Sequence, residues 1–256
     1  MPVLVPATPR TALPQVVSIS AGPADVSELN RIVRSGVRSY NEQFDEDAHL
    51  DEVIPKPWGH EYRAYVDDFF DFWTLHLEPA HETSMHVHPR KLTYLLCLAG
   101  RGVTATLNGD VGVSAGSILR IAPGAFHLTR NTGGEQLVLI EVEAPRNKLD
   151  LIRLADGYNR AGTSYESGSR PAEHPMRKVP YLPHARMRPS TPDGRFAFEI
   201  RTGMDVFYRR RDADLFYVPL CLSGVVLSDV EILTSLPGDG RRPNPDNYYL
   251  SITRNH

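Results

Sequence analysis

The fold is decided between residues 83 and 131. This stretch opens with Met85-His86-Val87-His88-Pro89, later runs through Ala122-Pro123-Gly124-Ala125-Phe126-His127, and ends at Asn131. Successive side chains of a strand point to opposite faces, so His86 and His88 share one face of an extended segment. His127 follows a Pro-Gly turn much later in the chain. The residues between are short apolar runs separated by glycine turns. The pattern predicts a small β-barrel that carries three imidazoles from distant strands to one metal ion.

Working outward, the apolar runs predict barrel strands at 62–66, 69–77, 83–88, 92–98, 103–107, 118–121 and 137–142. Turn chemistry at Gly100, Asn108-Gly109, Gly116, Pro123-Gly124 and Gly133-Gly134 separates most of them, and Asn108-Gly109 is a strong hairpin signal. Upstream, Pro55-Lys56-Pro57-Trp58-Gly59 reads as a rigid entry turn, and the acidic run 45–52 as a solvated loop. Asp25-Val26-Ser27-Glu28 resembles a capping box, followed by Leu29, Ile32, Val33, Val37 and Tyr40 at helical spacing, which predicts a helix at 26–40. Residues 1–23, with five prolines, read as an extended arm. Downstream, 145–195 is polar and rich in Pro, Gly and Arg, with a short helix expected near 148–154. Strands are then expected at 196–201, 205–208, 215–222, 225–233 and 248–253. The chain is therefore all-β, divided as an arm and helix (1–54), a metal-binding barrel (55–145), a connector (146–195) and a C-terminal β segment (196–256).

A faint internal repeat reads either as chance among common β-turn residues or as a degenerate second half. Cys97-Leu98-Ala99-Gly100 matches Cys221-Leu222-Ser223-Gly224, and Leu128-Thr129-Arg130-Asn131 matches Ile252-Thr253-Arg254-Asn255; 221 − 97 and 252 − 128 both give 124. On the second reading His86, His88 and His127 fall on Arg210, Asp212 and Ser251, and the second copy would hold no metal.

The net charge of −3 gives no general attraction to nucleic acid or to an anionic membrane. Cys97 and Cys221 both sit in apolar runs and read as buried free thiols. No apolar run approaches the length of a membrane span, and no leader pattern is visible, so the expected location is cytoplasmic. An exposed sheet edge needs covering, which leads us to expect a homodimer.

The two histidine segments resemble the motifs of the cupin superfamily, small jelly-roll barrels with a metal in the barrel mouth. In the register of the first motif stand Ala80, His86, His88, Thr93 and Gly100; in that of the second stand Gly116, Ala122, Gly124, His127 and Asn131. Ala80, Thr93 and Ala122 depart from the pattern. The resemblance implies a divalent metal (Fe, Zn, Mn or Ni) on His86, His88 and His127. Thr93 stands where the family usually has a fourth ligand, a glutamate. Three neutral imidazoles leave the metal charge uncompensated, so a small anionic substrate is expected as a further ligand; Glu82 is a candidate substitute carboxylate. Pro57-Trp58-Gly59 resembles the entry to cupins of the phosphomannose isomerase group. His88-Pro89-x-Lys91-x-Thr93, Glu141-x-Glu143-x-Pro145 and Asp150-Leu-Ile-Arg153-Leu resemble cupins associated with surface-polysaccharide and nucleotide-sugar pathways.

That resemblance implies isomerase- or epimerase-type chemistry on a sugar phosphate or nucleotide sugar. Glu82 and Tyr94, with Glu141 beside them, are the candidates for moving the proton, and Arg90, Lys91 and Thr93 for holding substrate. Two alternatives stand alongside: a three-histidine Fe(II) dioxygenase acting on a small anion, and a non-catalytic small-molecule-binding cupin.

Overall fold

The computed structural model describes residues 16–35, 52–66, 71–144, 150–155, 170–171, 190, 194–211, 213–220, 232–234 and 240–255. Three sheets dominate. The front sheet has eight strands in the order Val16–Ile19, Ile118–Ile121, Leu92–Ala99, Leu137–Ala144, Asp71–Leu77, Gly59–Val66, Glu52–Lys56 and Arg170–Pro171. The back sheet has five: Ile152–Ala155, Met85–Val87, His127–Asn131, Arg101–Thr106 and Gly109–Ser114. The outer sheet has four: Phe196–Thr202, Tyr248–Arg254, Asp214–Leu220 and Leu233–Thr234.

Alternation along the front strands explains why two layers pack against one sheet. Leu92–Ala99 and Leu137–Ala144 are buried along almost their whole length, as strands covered on both faces must be. Their odd-numbered side chains, among them Leu95, Cys97, Leu137 and Leu139, point into the barrel beside Trp73, Leu75, Leu119 and Ile121. Their even-numbered ones, Tyr94, Leu96, Val138, Ile140 and Val142, point the other way. There they share one core with Phe196, Phe198, Phe216, Val218, Leu250 and Ile252 of the outer sheet.

The outer sheet repeats part of the front sheet. Its order, Phe196–Thr202, Tyr248–Arg254, Asp214–Leu220, Leu233–Thr234, has the same antiparallel connectivity as Asp71–Leu77, Leu137–Ala144, Leu92–Ala99, Ile118–Ile121. Strand Tyr248–Arg254 thus stands in the place of Leu137–Ala144. The 124-residue offset had matched it instead to His127–Asn131, whose partners are Met85–Val87 and Arg101–Thr106. Between Phe196–Thr202 and Asp214–Leu220 lies the helix Gly203–Tyr208, where the first half has the histidine strand Met85–Val87. A strand was expected at 205–208. Thr202 caps the helix, its Oγ1 accepting the Asp205 N–H at 3.1 Å, and Gly203 packs so closely on the Asn244 carbonyl that no side chain fits.

Other expectations change at the chain's margins. The helix is Pro23–Arg34, starting at Gly22 rather than Asp25, with Asp25 at its third position; 36–40 lie outside the described residues. Val16–Ile19, expected in the arm, pairs in parallel with Ile118–Ile121, and 1–15 lie outside the described residues. The expected helix at 148–154 is in its described part a loop and the strand Ile152–Ala155. Strands Glu52–Lys56 and Gly109–Ser114 were not anticipated. Cys97 is a buried free thiol pushed up to about 12 by burial; Cys221 lies outside the described residues. No helix among the described residues is long and apolar enough to cross a membrane.

The shared core predicts joint unfolding. Phe198 is fully buried in the outer sheet, and Phe198→Ala should cost about 3–5 kcal/mol. Both tryptophans, Trp58 and Trp73, lie in the barrel. Urea unfolding followed by their fluorescence should shift to lower denaturant in this variant; an unmoved midpoint would show that the two layers are energetically independent.

Candidate metal centre

The site lies between the front and back sheets. On the back sheet His86 and His127 are directly opposed Cα partners, and Arg153 flanks His86 on its other side. Met85 and Val87 face the opposite way and are covered, with Phe126, by Leu29 and Ile32 of the helix Pro23–Arg34. The ring centroids of His86 and His127 are 4.3 Å apart, of His86 and His88 5.0 Å, and of His88 and His127 5.6 Å.

Backbone carbonyls orient each ring. Nδ1 of His86 lies 2.7 Å from Ser84 O, that of His88 2.7 Å from Asp150 O, and that of His127 3.1 Å from Ala125 O. Each contact places the proton on Nδ1 and leaves Nε2 as the bare lone pair. Nε2 of both His88 and His127 is buried without a hydrogen-bond partner.

The loops are held by polar anchors. Asp150 Oδ2 accepts the Arg90 and Lys91 N–H groups at 2.7 and 2.9 Å, fixing the turn after His88. Gly124, at φ 82, donates its N–H to His88 O at 2.9 Å and ties the second motif to the first. Asp25 is fully buried and accepts from Gly22 N, Asn108 Nδ2 and Phe126 N, so the helix N-terminus positions the residue before His127. Asn131 Nδ2 donates to the Leu77 and Glu135 carbonyls. Ala80 keeps a left-handed backbone, φ 64, where the motif has glycine.

One ligand atom each from His86, His88, His127 and Glu141 lies within 4.8 Å of the others. Donors about 2.1 Å from one ion are separated by at most about 4.2 Å, so small side-chain adjustments bring all four into coordination range. The donor set and the orphaned nitrogens fit a divalent metal. The carboxylate comes from the strand next to the one that carries it in the motif: Thr93 pairs with Glu143 and Leu95 with Glu141 across Leu92–Ala99 and Leu137–Ala144. Glu141 thus stands beside the three imidazoles that the sequence pointed to. Glu143 lies beside the cluster, its Oε1 3.7 Å from His88 Nε2 and 2.5 Å from Lys91 Nζ, with Oε2 buried and unpartnered.

Of the other candidates, Lys91 and Thr93 are buried in the barrel, Lys91 in the cavity wall and Thr93 with its hydroxyl unpartnered. Arg90 is exposed at the turn. Glu82 is not brought to the cluster: it pairs at 2.6 Å with Arg130, which points away from the buried face of His127–Asn131. Tyr94 lies on the far face of the front sheet, in the core shared with the outer sheet. Glu143 and Asp150 carry roles that sequence reasoning did not give them. The signal for Glu143 was two acids spaced two apart in an otherwise apolar strand.

Residues 73–143 match the family described as Cupin domain. The barrel this segment forms is of the cupin type. Among solved structures, the chain is similar to an uncharacterized conserved protein with a double-stranded β-helix domain from Klebsiella pneumoniae, at 23% identity and TM-score 0.35, over 45% of this chain and 98% of that one. It is also similar to Lactobacillus farciminis oxalate decarboxylase in a formate complex (18%, TM-score 0.38, 41% of this chain and 33% of that one). A third is the capsular polysaccharide assembling protein CapF from Staphylococcus aureus (20%, TM-score 0.37, 41% and 34%). The chain thus spans about a third of the length of the latter two. A comparison with curated proteins finds no match.

Burial, foremost, holds the imidazoles of His86 and His88 well below the ordinary value, and lowers His127 to about 4. The neighbouring His127 charge adds to the effect at His86, and Lys91 at His88. In the unfolded chain these groups take up protons near pH 6.5, whereas in the fold His127 refuses one until near pH 4 and His86 and His88 are likewise held well below their ordinary value. The unfolded state then binds more protons, so stability rises with pH across this window. Metal-free protein should therefore lose stability as pH falls from about 6.5 towards 4, with no contribution from this source above the window. Urea midpoints at pH 7.5 and 5 check this; a higher midpoint at pH 5 would contradict it.

Proposed function

We propose that the chain is a metal-dependent cupin enzyme in which His86, His88, His127 and Glu141 hold a divalent ion, and that it carries out isomerase- or epimerase-type proton transfer on a small anionic substrate. The observation that carries this reading is the convergence of four donor atoms within 4.8 Å, two of them buried imidazole nitrogens with no other partner. When bound, a divalent ion supplies a Lewis acid that polarises a carbonyl or hydroxyl oxygen.

The rest of the chemistry belongs to the chain's own residues. Lys91 holds Oε1 of Glu143 at 2.5 Å and leaves Oε2 bare. That oxygen can take a proton from a substrate carbon or hydroxyl beside the polarised group. The cavity here measures about 70 Å³, against the 300–1,000 Å³ usual for pockets that enclose a drug-sized ligand. It takes the reacting end of a substrate, so a sugar ring or nucleotide stays at the mouth. A second reading, an Fe(II) oxygenase, draws on the same donors, because imidazole and carboxylate together suit iron. Oxygen uptake by the iron-loaded protein separates it from proton transfer, which consumes none.

Elemental analysis of the purified, metal-supplemented protein should find one divalent ion per chain, lost in His86→Ala, His127→Ala. Glu141→Gln should weaken metal binding at least about tenfold. Glu143→Gln should keep the metal and lose solvent-deuterium incorporation into substrate. Failure of the wild-type chain to take up metal would overturn the reading.

A further inference from the structure

The three imidazoles are oriented in two different ways. His86 and His127 each turn Nδ1 to the carbonyl two residues earlier, Ser84 O and Ala125 O, so their own segments set the rings. His88 turns Nδ1 to Asp150 O at 2.7 Å, 62 residues downstream. Asp150 lies beyond 73–143, the segment matched to the cupin family. Strand pairing brings it there. Ile152 stands opposite Val87 and Arg153 opposite His86, so the residues just before this antiparallel strand arrive beside His88.

Asp150 also holds the chain on the far side of His88. It is 7% exposed, and one of its oxygens, Oδ2, accepts both the Arg90 N–H at 2.7 Å and the Lys91 N–H at 2.9 Å. The carbonyl and the side chain of one residue therefore grip the ring and the turn that follows it. Removing the side chain takes the acceptor from both N–H groups, and the turn is then free to carry His88 away from the Asp150 carbonyl. A metal-ligating imidazole that loses its Nδ1 partner loses the orientation that aims Nε2.

We propose that Asp150 is a positioning residue of the metal centre, acting through His88 by geometry rather than by charge. This rests on the metal-binding reading above. Because a single oxygen takes both hydrogen bonds, the amide oxygen of an asparagine can take both as well.

Zinc affinity of the full chain, measured by competition with a chromogenic chelator, tests the proposal in three variants. Asp150→Asn should bind within about threefold of the wild type, since it exchanges charge-assisted hydrogen bonds for neutral ones in the same place. Asp150→Glu keeps the charge but shifts the oxygen by one methylene, and Asp150→Ala removes it; each should weaken binding at least about tenfold. X-ray absorption of zinc-saturated Asp150→Ala should show two imidazoles where the wild type shows three, because His86 and His127 keep their local carbonyls. Phe198→Ala, destabilised away from the site, should still show three, so a general loss of stability does not reproduce the effect. Wild-type affinity with three imidazoles in Asp150→Ala would overturn the inference, as would an Asp150→Glu that binds like the wild type beside a weak Asp150→Asn. Either result leaves the metal-binding reading standing; a wild-type chain that takes up no metal overturns both.

Discussion

Three hydrogen bonds from imidazole Nδ1 to backbone carbonyls hold this site in place. The Ser84, Ala125 and Asp150 carbonyls fix ring orientation and tautomer together. Their consequence is unfavourable in isolation, because an unpartnered buried acceptor costs about 1–3 kcal/mol. Two such nitrogens face one point. A fold that carries this cost has a site shaped for something that accepts lone pairs.

The surrounding architecture keeps those carbonyls still. Register in the back sheet sets His86 against His127, and the helix Pro23–Arg34 closes the other face of the same strands. Asp150 reaches back to the turn after His88, and Asp25 reaches the segment before His127. Among the described residues, none from the outer sheet lines the cavity or joins the cluster. That sheet covers the far face of the front sheet, whose inner face supplies Glu141 and Glu143. In its described residues the second half repeats four strands of the first, with a short helix where the histidine strand would stand.

Much of this was legible in the sequence, because its signals were local. Period-two alternation and Gly or Asn-Gly turns marked most barrel strands, and the spacing of His86, His88 and His127 pointed to three rings that the fold sets side by side. What the sequence concealed depended on neighbouring strands. Thr93 reads as a lost carboxylate until the pairing of Leu92–Ala99 with Leu137–Ala144 sets Glu141 and Glu143 next to it. Glu82 shares an even spacing with His86, yet its bridge to Arg130 draws it to the other side of the back sheet. Tyr94 is one residue from Thr93 and therefore on the opposite face. The helix Gly203–Tyr208 has strand-like composition, but the Thr202 cap and the buried Arg201 ion pairs with Asp205 and Asp214 favour a helical turn.

The central claim is that three imidazoles and a neighbouring-strand carboxylate share one ion. X-ray absorption spectroscopy of the metal-loaded protein tests it most directly. The account predicts the outer-shell scattering of three imidazole rings, with nitrogen and oxygen donors about 2.1 Å from the metal. A spectrum with one imidazole or none would contradict it.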